Sequence, residues 1–271
     1  MKKTLNKTKI ADFATYIGVV IAFIVMNALM NEGLLTRSMK GQLVPICCYI
    51  VMAVSLNLTV GILGELSLGH AGFMSVGAFT GVVTAMSLQS AIPSDGVRLA
   101  LAIVMGAIFA GIAGTLVGIP VLRLHGDYLA IVTLAFGEII KELINCLIIG
   151  HDENGLHIIF NATGAKTVTD LGLTETGKVL IKGAQGATGT DTIASFTAGF
   201  ILIMVTLVVV LNLARSRSGR AIMALRDNRI AAESNGVNVT YYKLMVFVLA
   251  AFFAGMAGVL YGHTLANIKP A

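Results

Sequence analysis

Apolar runs of about twenty residues recur along this chain, and a run of that length is what an α-helix needs to cross the hydrocarbon of a bilayer. Seven candidate spans lie near residues 11–30, 43–63, 69–89, 98–119, 128–149, 194–213 and 243–262. Only 12% of the 271 residues are charged, about half the share of an ordinary soluble domain. Such a chain cannot cover its surface in water. It is read as an all-α polytopic helical bundle forming a single transmembrane domain over residues 1–271, with a first helix group at 11–149, an external loop at 150–193, and last spans at 194–262 that enclose a polar loop at 214–243.

The opening MKKTLNKTKIADF is basic, and the apolar run behind it continues to Met30. A signal peptide has a shorter apolar core and a small-residue cleavage site, so a retained first helix is expected. Lys2, Lys3, Lys7 and Lys9 precede the first span, and Arg215, Arg217, Arg220, Arg226, Arg229 and Lys243 fall between the last two. Both clusters are expected on the cytoplasmic side, and the even number of spans between them agrees with that. The turn at Arg123 and His125 then falls inside and the segment 150–193 outside. That outer segment is rich in Gly, Thr, Asp and Asn, and turns with short helices are expected there. The net charge of +5 thus reports topology rather than affinity for nucleic acid. Cys47, Cys48 and Cys146 lie in or beside apolar runs and read as small buried hydrophobes.

The stretch SLNLTVGILGELSLGHAGFMSVGAF, residues 55–79, is apolar yet holds Asn57, Glu65 and His70 among glycines that include Gly61, Gly64, Gly69 and Gly72. Irregular backbone at membrane depth survives only where protein or water satisfies it, and broken helices with exposed ends are one way transporters receive polar solutes. A broken helix near residues 57–70 is therefore one reading, with Asn57, Gly61, Gly64, Glu65 and His70 on a translocation path. The other is a tight turn with Glu65 and His70 at headgroup level. Small residues four apart, Gly77 with Gly81 and Ala110 with Gly114 and Gly118, mark close helix packing.

In GDYLAIVTLAFGEIIKELI, residues 126–144, Asp127 suits an N-cap. Glu138 either lines the path or marks a helix end. GLTETGKV, residues 172–179, has part of a phosphate-binding loop, but Val179 stands where a Ser or Thr would hold magnesium. No metal-ligand cluster or nucleophile–base spacing is present, so neither a metal, a cofactor nor an enzymatic reaction is expected of this chain.

ARSRSGRAIMALRDNRIAAESNGVNVTYYK, residues 214–243, separates two spans. From Gly219 to Asn235 it reads as an amphipathic helix, with Gly236 as its C-terminal cap. Alanines and mixed charges, rather than large hydrophobes, favour contact with a protein over contact with lipid.

Three motifs in order, SLNLTVGILGELSLGHAGFMSVGAF, LRLHGDYLAIVTLAFGEII and SGRAIMALRDNRIAAESNGVNVTYYKLMVFVLAAFFAGMAGVLYG, with NGL at 154–156 between the last two, resemble the signatures of LivM-like permease subunits of branched-chain amino acid ABC importers. The resemblance runs from about residue 40 to about residue 265. It implies a permease in the bacterial inner membrane that pairs with a second homologous permease, two cytoplasmic ATPase subunits and a periplasmic or surface solute-binding protein, and that carries an amino acid by alternating access. The loop then corresponds to the family's ATPase-coupling helix at Arg220, Ala224, Arg226, Asp227, Asn228, Ala231, Ala232, Glu233 and Gly236. Family members continue past a proline such as Pro270 into further spans, so a partial sequence ending at Ala271 is expected. The residues alone leave a second class open, a secondary transporter or channel without ATPases. That class calls for charges deep in several spans, and few are seen beyond Glu65 and Glu138.

Overall fold

In a computed structural model the described residues are 2–89, 91–122, 124, 126–152, 155–161, 168–172 and 177–269. Arg123, His125, Asn154 of the NGL motif and residues 173–176 of the decoy loop lie outside them, as does the side chain of Asp127. The seven apolar runs each coincide with a helix: α1 (Lys2–Asn31), α2 (Arg37–Asn57), α3 (His70–Ser87), α4 (Asp95–Val121), α5 (Asp127–Asn145), α6 (Phe196–Arg215) and, after the short helices α7 (Arg217–Asp227) and α8 (Arg229–Ser234), α9 (Val239–Gly262). Five of them, α1, α2, α4, α6 and α9, are long and apolar enough to cross a membrane. α3 and α5 fall short, α3 because His70, its glycines and its Ser and Thr residues leave its 18 residues not apolar enough, α5 because Glu138, Lys141 and Glu142 interrupt it.

α9 is the axis of the bundle. It takes α3 and α4 on one side and α2 on another, and two thirds of its apolar window is buried. The small-residue spacings explain why it fits there. A Cβ on Gly77 would run into the backbone of Gly255, one on Gly81 into Val259, and one on Gly114 into Ala251. Backbones approach this closely only where side chains vanish. Ser55 of α2 adds a buried hydrogen bond, donating to the Ala250 carbonyl at 2.6 Å. Cys47 and Cys48 are buried, as expected of small hydrophobes, whereas Cys146 is only partly buried; all three are free thiols.

The segment between α5 and α6 differs from expectation. The expected short helices are present as two 3-10 turns, Val168–Leu171 and Gly183–Gln185, but most of the regular structure is strand: β1 (Leu147–Asp152), β2 (Gly155–Phe160), β3 (Lys178–Lys182) and β4 (Ala187–Thr188). β5 (Asn267–Ile268), just beyond α9, completes a sheet of order β2-β1-β3-β4-β5. LIIGHD and GLHIIF are too short and too rich in β-branched residues for helices, and register as an antiparallel pair. The sheet packs Ile149, Leu180 and Ile181 on Phe79 and Val82 of α3. Lys178 and Val179 of the decoy loop are strand residues, whereas a phosphate-binding loop would lead into a helix. Arg98, buried in the first turn of α4, binds Asp95 at 2.5 Å and Asp191 at 3.2 Å, pinning the chain beyond β4 to the bundle. The bundle thus has a sheet end and, opposite, a loop end carrying α7 and α8.

Candidate functional site

The site forms at the loop end, where the α2–α3 connection meets the polar loop. α2 does not stop cleanly at Asn57 but widens into a π-helical turn, Leu58–Leu63, a distortion frequent at functional positions. Gly64 then adopts φ +80°, which a side-chain-bearing residue rarely tolerates. Residues 64–69 are non-helical, and α3 starts at His70 with no side chain capping its N-terminus. The helix is therefore interrupted over 64–69, and because α2 and α3 reverse direction across this break at the loop end of the bundle, it has the form of the tight turn rather than of one span broken midway.

The polar loop closes over this break. It folds as two helices rather than one, because Asn228 turns extended and its Oδ1 accepts from the Ala231 amide at 3.0 Å, capping α8. Gly236 ends α8 at φ +81°. Its amide donates to the Glu233 carbonyl and that of Val237 to the Ala232 carbonyl, the Schellman pattern expected at this glycine. Ile222 and Leu225 bury α7 against the bundle. Arg226 stays 43% exposed but reaches back over the break. Its Nη1 donates to the Gly61 carbonyl at 2.8 Å, and its Cγ fills the space that a Cβ on Gly64 would need.

Lys243, in the second turn of α9, forms an ion pair with Glu65 in the break. Lys243 is almost wholly buried and Glu65 largely so. Taking a charge from water is expensive unless it is paired, which explains why these two groups meet. The break has a second neighbour. Thr133 of α5 accepts from the Leu68 amide at 3.1 Å, and its carbonyl sits where a Cβ on Gly69 would project. The three sequence motifs therefore converge on residues 58–72. Ser67 and His70 are buried there, and neither Ser67 Oγ nor either nitrogen of His70 has a hydrogen-bond partner among the described residues.

Of the candidate path residues, Gly61, Gly64, Glu65 and His70 belong to this cluster, and Asn57 lies one turn before Gly61 with its amide oxygen crowding it. Glu138 does not join them. It lies on the exposed side of α5, away from the Thr133 and Gly137 side that meets the break. Of the loop residues, Arg220, Ala224, Arg226, Asp227, Asn228, Ala231, Glu233 and Gly236 are exposed, whereas Ala232 is buried with Leu225 and Val239. Gly126, not Asp127, occupies the cap position of α5. Sequence reasoning missed three residues here: Lys243 as a partner for Glu65, Thr133, and Ile230, which is 80% exposed on α8. A large aliphatic residue in an otherwise polar loop was the available signal for Ile230.

Residues 38–271 match the family described as branched-chain amino acid transport system / permease component. Two curated proteins are similar to the chain, the high-affinity branched-chain amino acid transport system permease proteins LivM of Escherichia coli (strain K12) and of Salmonella typhimurium (strain LT2), each 33% identical over 232 residues. The match covers 82% of this chain and 52% of each relative, so the chain spans about half the length of the curated relatives it matches. No solved structure matches the chain.

Proposed function

Because the chain belongs to the family of branched-chain amino acid transport system permease components, we propose that it is a membrane-spanning subunit of an ATP-binding cassette importer for branched-chain or other hydrophobic amino acids. In this reading a second homologous permease stands beside it, two cytoplasmic ATPase subunits sit under its loop end, and a periplasmic or surface binding protein delivers the solute at the sheet end. The chain is a multi-pass membrane protein whose N-terminus and loop 214–243 face the cytoplasm. ATP is hydrolysed on the partners and moves the bundle between inward- and outward-open states.

The observation that carries the reading is the clasp of the polar loop on the α2–α3 break. A mobile, lipid-bound connector has no reason to hold a backbone carbonyl of a distant span through Arg226. A lever does. Force applied to the exposed residues of α7 and α8 reaches Gly61 through Arg226 and Glu65 through the start of α9, so α2, α3 and α9 feel the same displacement.

The test is uptake of leucine, isoleucine and valine into proteoliposomes holding the purified complex. Uptake is expected only with ATP inside the cytoplasmic face, and two ATPases and a second permease are expected to copurify. Solute uptake by this chain with no ATPase present would instead identify a secondary transporter or channel.

A further inference from the structure

β3 carries a lysine at each end, and a bulge between them sets both at one cavity. The register against β1 passes from Ile181 opposite Ile149 to Val179 opposite Gly150, so Leu180 is the extra residue. Regular alternation would turn either Leu180 or Ile181 outward. Instead both pack into the core with Phe79 and Val82. Lys178 is left exposed and Lys182 half-buried. Both line a cavity of about 340 Å³ between the end of α3 and strands β3 and β4, together with Asp191, Met86 and Val179. Its volume lies in the range of small-molecule sites.

The charges around this cavity do not neutralise one another. Among the described residues neither lysine forms an ion pair, and Asp191 pairs with Arg98 instead. Arg98 Nη1 donates to Asp191 Oδ2 at 3.2 Å, and Oδ1 has no hydrogen-bond partner among the described residues. Asp191 is fixed from behind. Arg98 is buried and its Nη2 is held by Asp95 at 2.5 Å. Thr190, also buried, donates through its hydroxyl to the Leu265 carbonyl at 2.5 Å and through its amide to the Ala266 carbonyl at 3.0 Å. Two lysines alone would be a solvated face. A carboxylate held opposite them by a buried arginine, with one oxygen free, makes a site.

A ligand that answers every group here brings an anion for two ammonium groups, a cationic donor for Asp191 Oδ1 and an apolar part for Met86 and Val179. An inorganic anion leaves Asp191 unanswered, and an amine leaves the lysines unanswered. A segment of polypeptide, a continuation of this chain included, has its backbone amine and carboxyl tied up in amide bonds. A free aliphatic α-amino acid carries all three features on one carbon.

We propose that this cavity is a landing site for the zwitterion of an aliphatic α-amino acid. Lys178 and Lys182 take its carboxylate, Asp191 takes its ammonium group, and Met86 and Val179 take its side chain. The site presupposes that the chain serves an amino acid importer, and it adds where the solute first rests, at the sheet end.

The test irradiates a photoreactive leucine with the purified complex of permeases and ATPases, without its binding protein. Adducts mapped by mass spectrometry should fall on peptides holding Met86 or Val179. Excess leucine should suppress them, whereas isocaproate, which lacks the ammonium group, and isoamylamine, which lacks the carboxylate, should be about tenfold weaker competitors or worse. The double variant Lys178→Gln, Lys182→Gln lies outside the core, so it should keep the wild-type unfolding midpoint and lose about tenfold or more of the labelling. Adducts only on other peptides, or equal labelling of the double variant, would overturn the proposal. So would isocaproate competing as well as leucine, which marks a plain anion site, or vesicles of phosphatidylethanolamine competing where leucine does not, which marks a headgroup site. ATP-driven leucine uptake is measured on the same complex with its binding protein restored. Uptake without labelling of this cavity refutes the site alone. A complex that takes up no branched-chain amino acid refutes the functional reading and this site with it.

Discussion

Arg226 and Gly61, 165 residues apart in sequence, are joined by a hydrogen bond of 2.8 Å from the guanidinium to the carbonyl. The acceptor lies in the π-helical turn that ends α2, and the donor lies on α7. A hydrogen bond from a charged donor contributes about 1.5–3 kcal/mol. If it persists through only part of the transport cycle, losing it slows turnover by roughly tenfold to a hundredfold. Arg226→Ala is therefore expected to lower uptake by that factor while ATP hydrolysis by the complex continues. Gly64→Ala disturbs the same contact, because Arg226 occupies the space its Cβ would take, and the left-handed backbone adds about 1–2 kcal/mol of strain. The two substitutions should be markedly less than additive. Full additivity in uptake assays would separate the two contacts and remove the lever.

Glu65 and Lys243 should behave as one unit. Breaking a largely buried pair leaves one charge without compensation, at a cost of about 3 kcal/mol. Glu65→Gln and Lys243→Met are each expected to lower the thermal unfolding midpoint of the solubilised protein, and the double variant should recover much of the loss. A double variant as unstable as the sum of the two singles would mean that the pair contributes nothing as a pair.

How much of this was legible beforehand depended on the kind of interaction. The helices were, because apolar length is a local property, and so was an interruption near residues 57–70, but glycines clustered among apolar residues serve a broken span and a tight turn alike, so its form was not. Gly236 could be placed as a cap because the left-handed position at a helix end asks for glycine. The partners of Glu65 and Arg226 were not legible, since nothing local in either residue points to a group more than 160 positions away. The sheet was missed because its strands are six residues long or shorter and sit among glycines, two of which fall within β1 and β2 themselves, a pattern that turns share. Ala232 and Glu138 illustrate the remaining limit: a motif names a residue without saying which way it faces.

The packing of α9 gives a sharper test than overall hydrophobicity. Gly77→Val adds two methyl groups and a Cβ where Gly255 backbone already stands. Overpacking of this sort costs about 1–3 kcal/mol when neighbours can shift, and here backbone must shift. Gly77→Val should fail to accumulate as folded protein, whereas Gly18→Val on α1, where a Cβ would meet nothing within 4 Å, should accumulate normally. Equal yields in membranes, judged by size-exclusion profile, would contradict a tight α3–α9 contact.

At the sheet end, His263 follows α9 and is 1% exposed. Its Nδ1 lies 2.8 Å from the Val259 carbonyl. That oxygen can only accept, so the neutral ring carries its proton on Nδ1. Burial holds the imidazole below its ordinary value near 6.5, and Arg98 adds to that, while the Val259 carbonyl and Asp191 oppose it. A group protonated more readily when unfolded withdraws stability as pH falls. The contribution of His263 is thus complete above about pH 6.5 and is lost progressively on acidification below it. The wild-type unfolding midpoint should fall between pH 7.5 and 5, and His263→Gln should flatten that dependence. An unchanged slope would show that other groups set it.

Ile230 offers the most direct test of which surface the ATPases hold. It stands 80% exposed on α8, between Arg229 and Ala231, one turn before Glu233, and just past the Asn228 bend from Arg226 and Asp227. The charges around it are of both signs, which suits a protein cleft better than an anionic lipid surface. A buried aliphatic anchor at an interface centre typically contributes about 2 kcal/mol or more, so Ile230→Asp should abolish copurification of the ATPases and ATP-driven uptake together. Because the side chain is so largely exposed, the permease itself should remain in the membrane at its normal level with an unchanged unfolding midpoint. Retention of both ATPases by the Ile230→Asp variant would place their docking surface elsewhere on the loop end, and Arg226 would then be a brace for the α2–α3 break with no motor pulling on it.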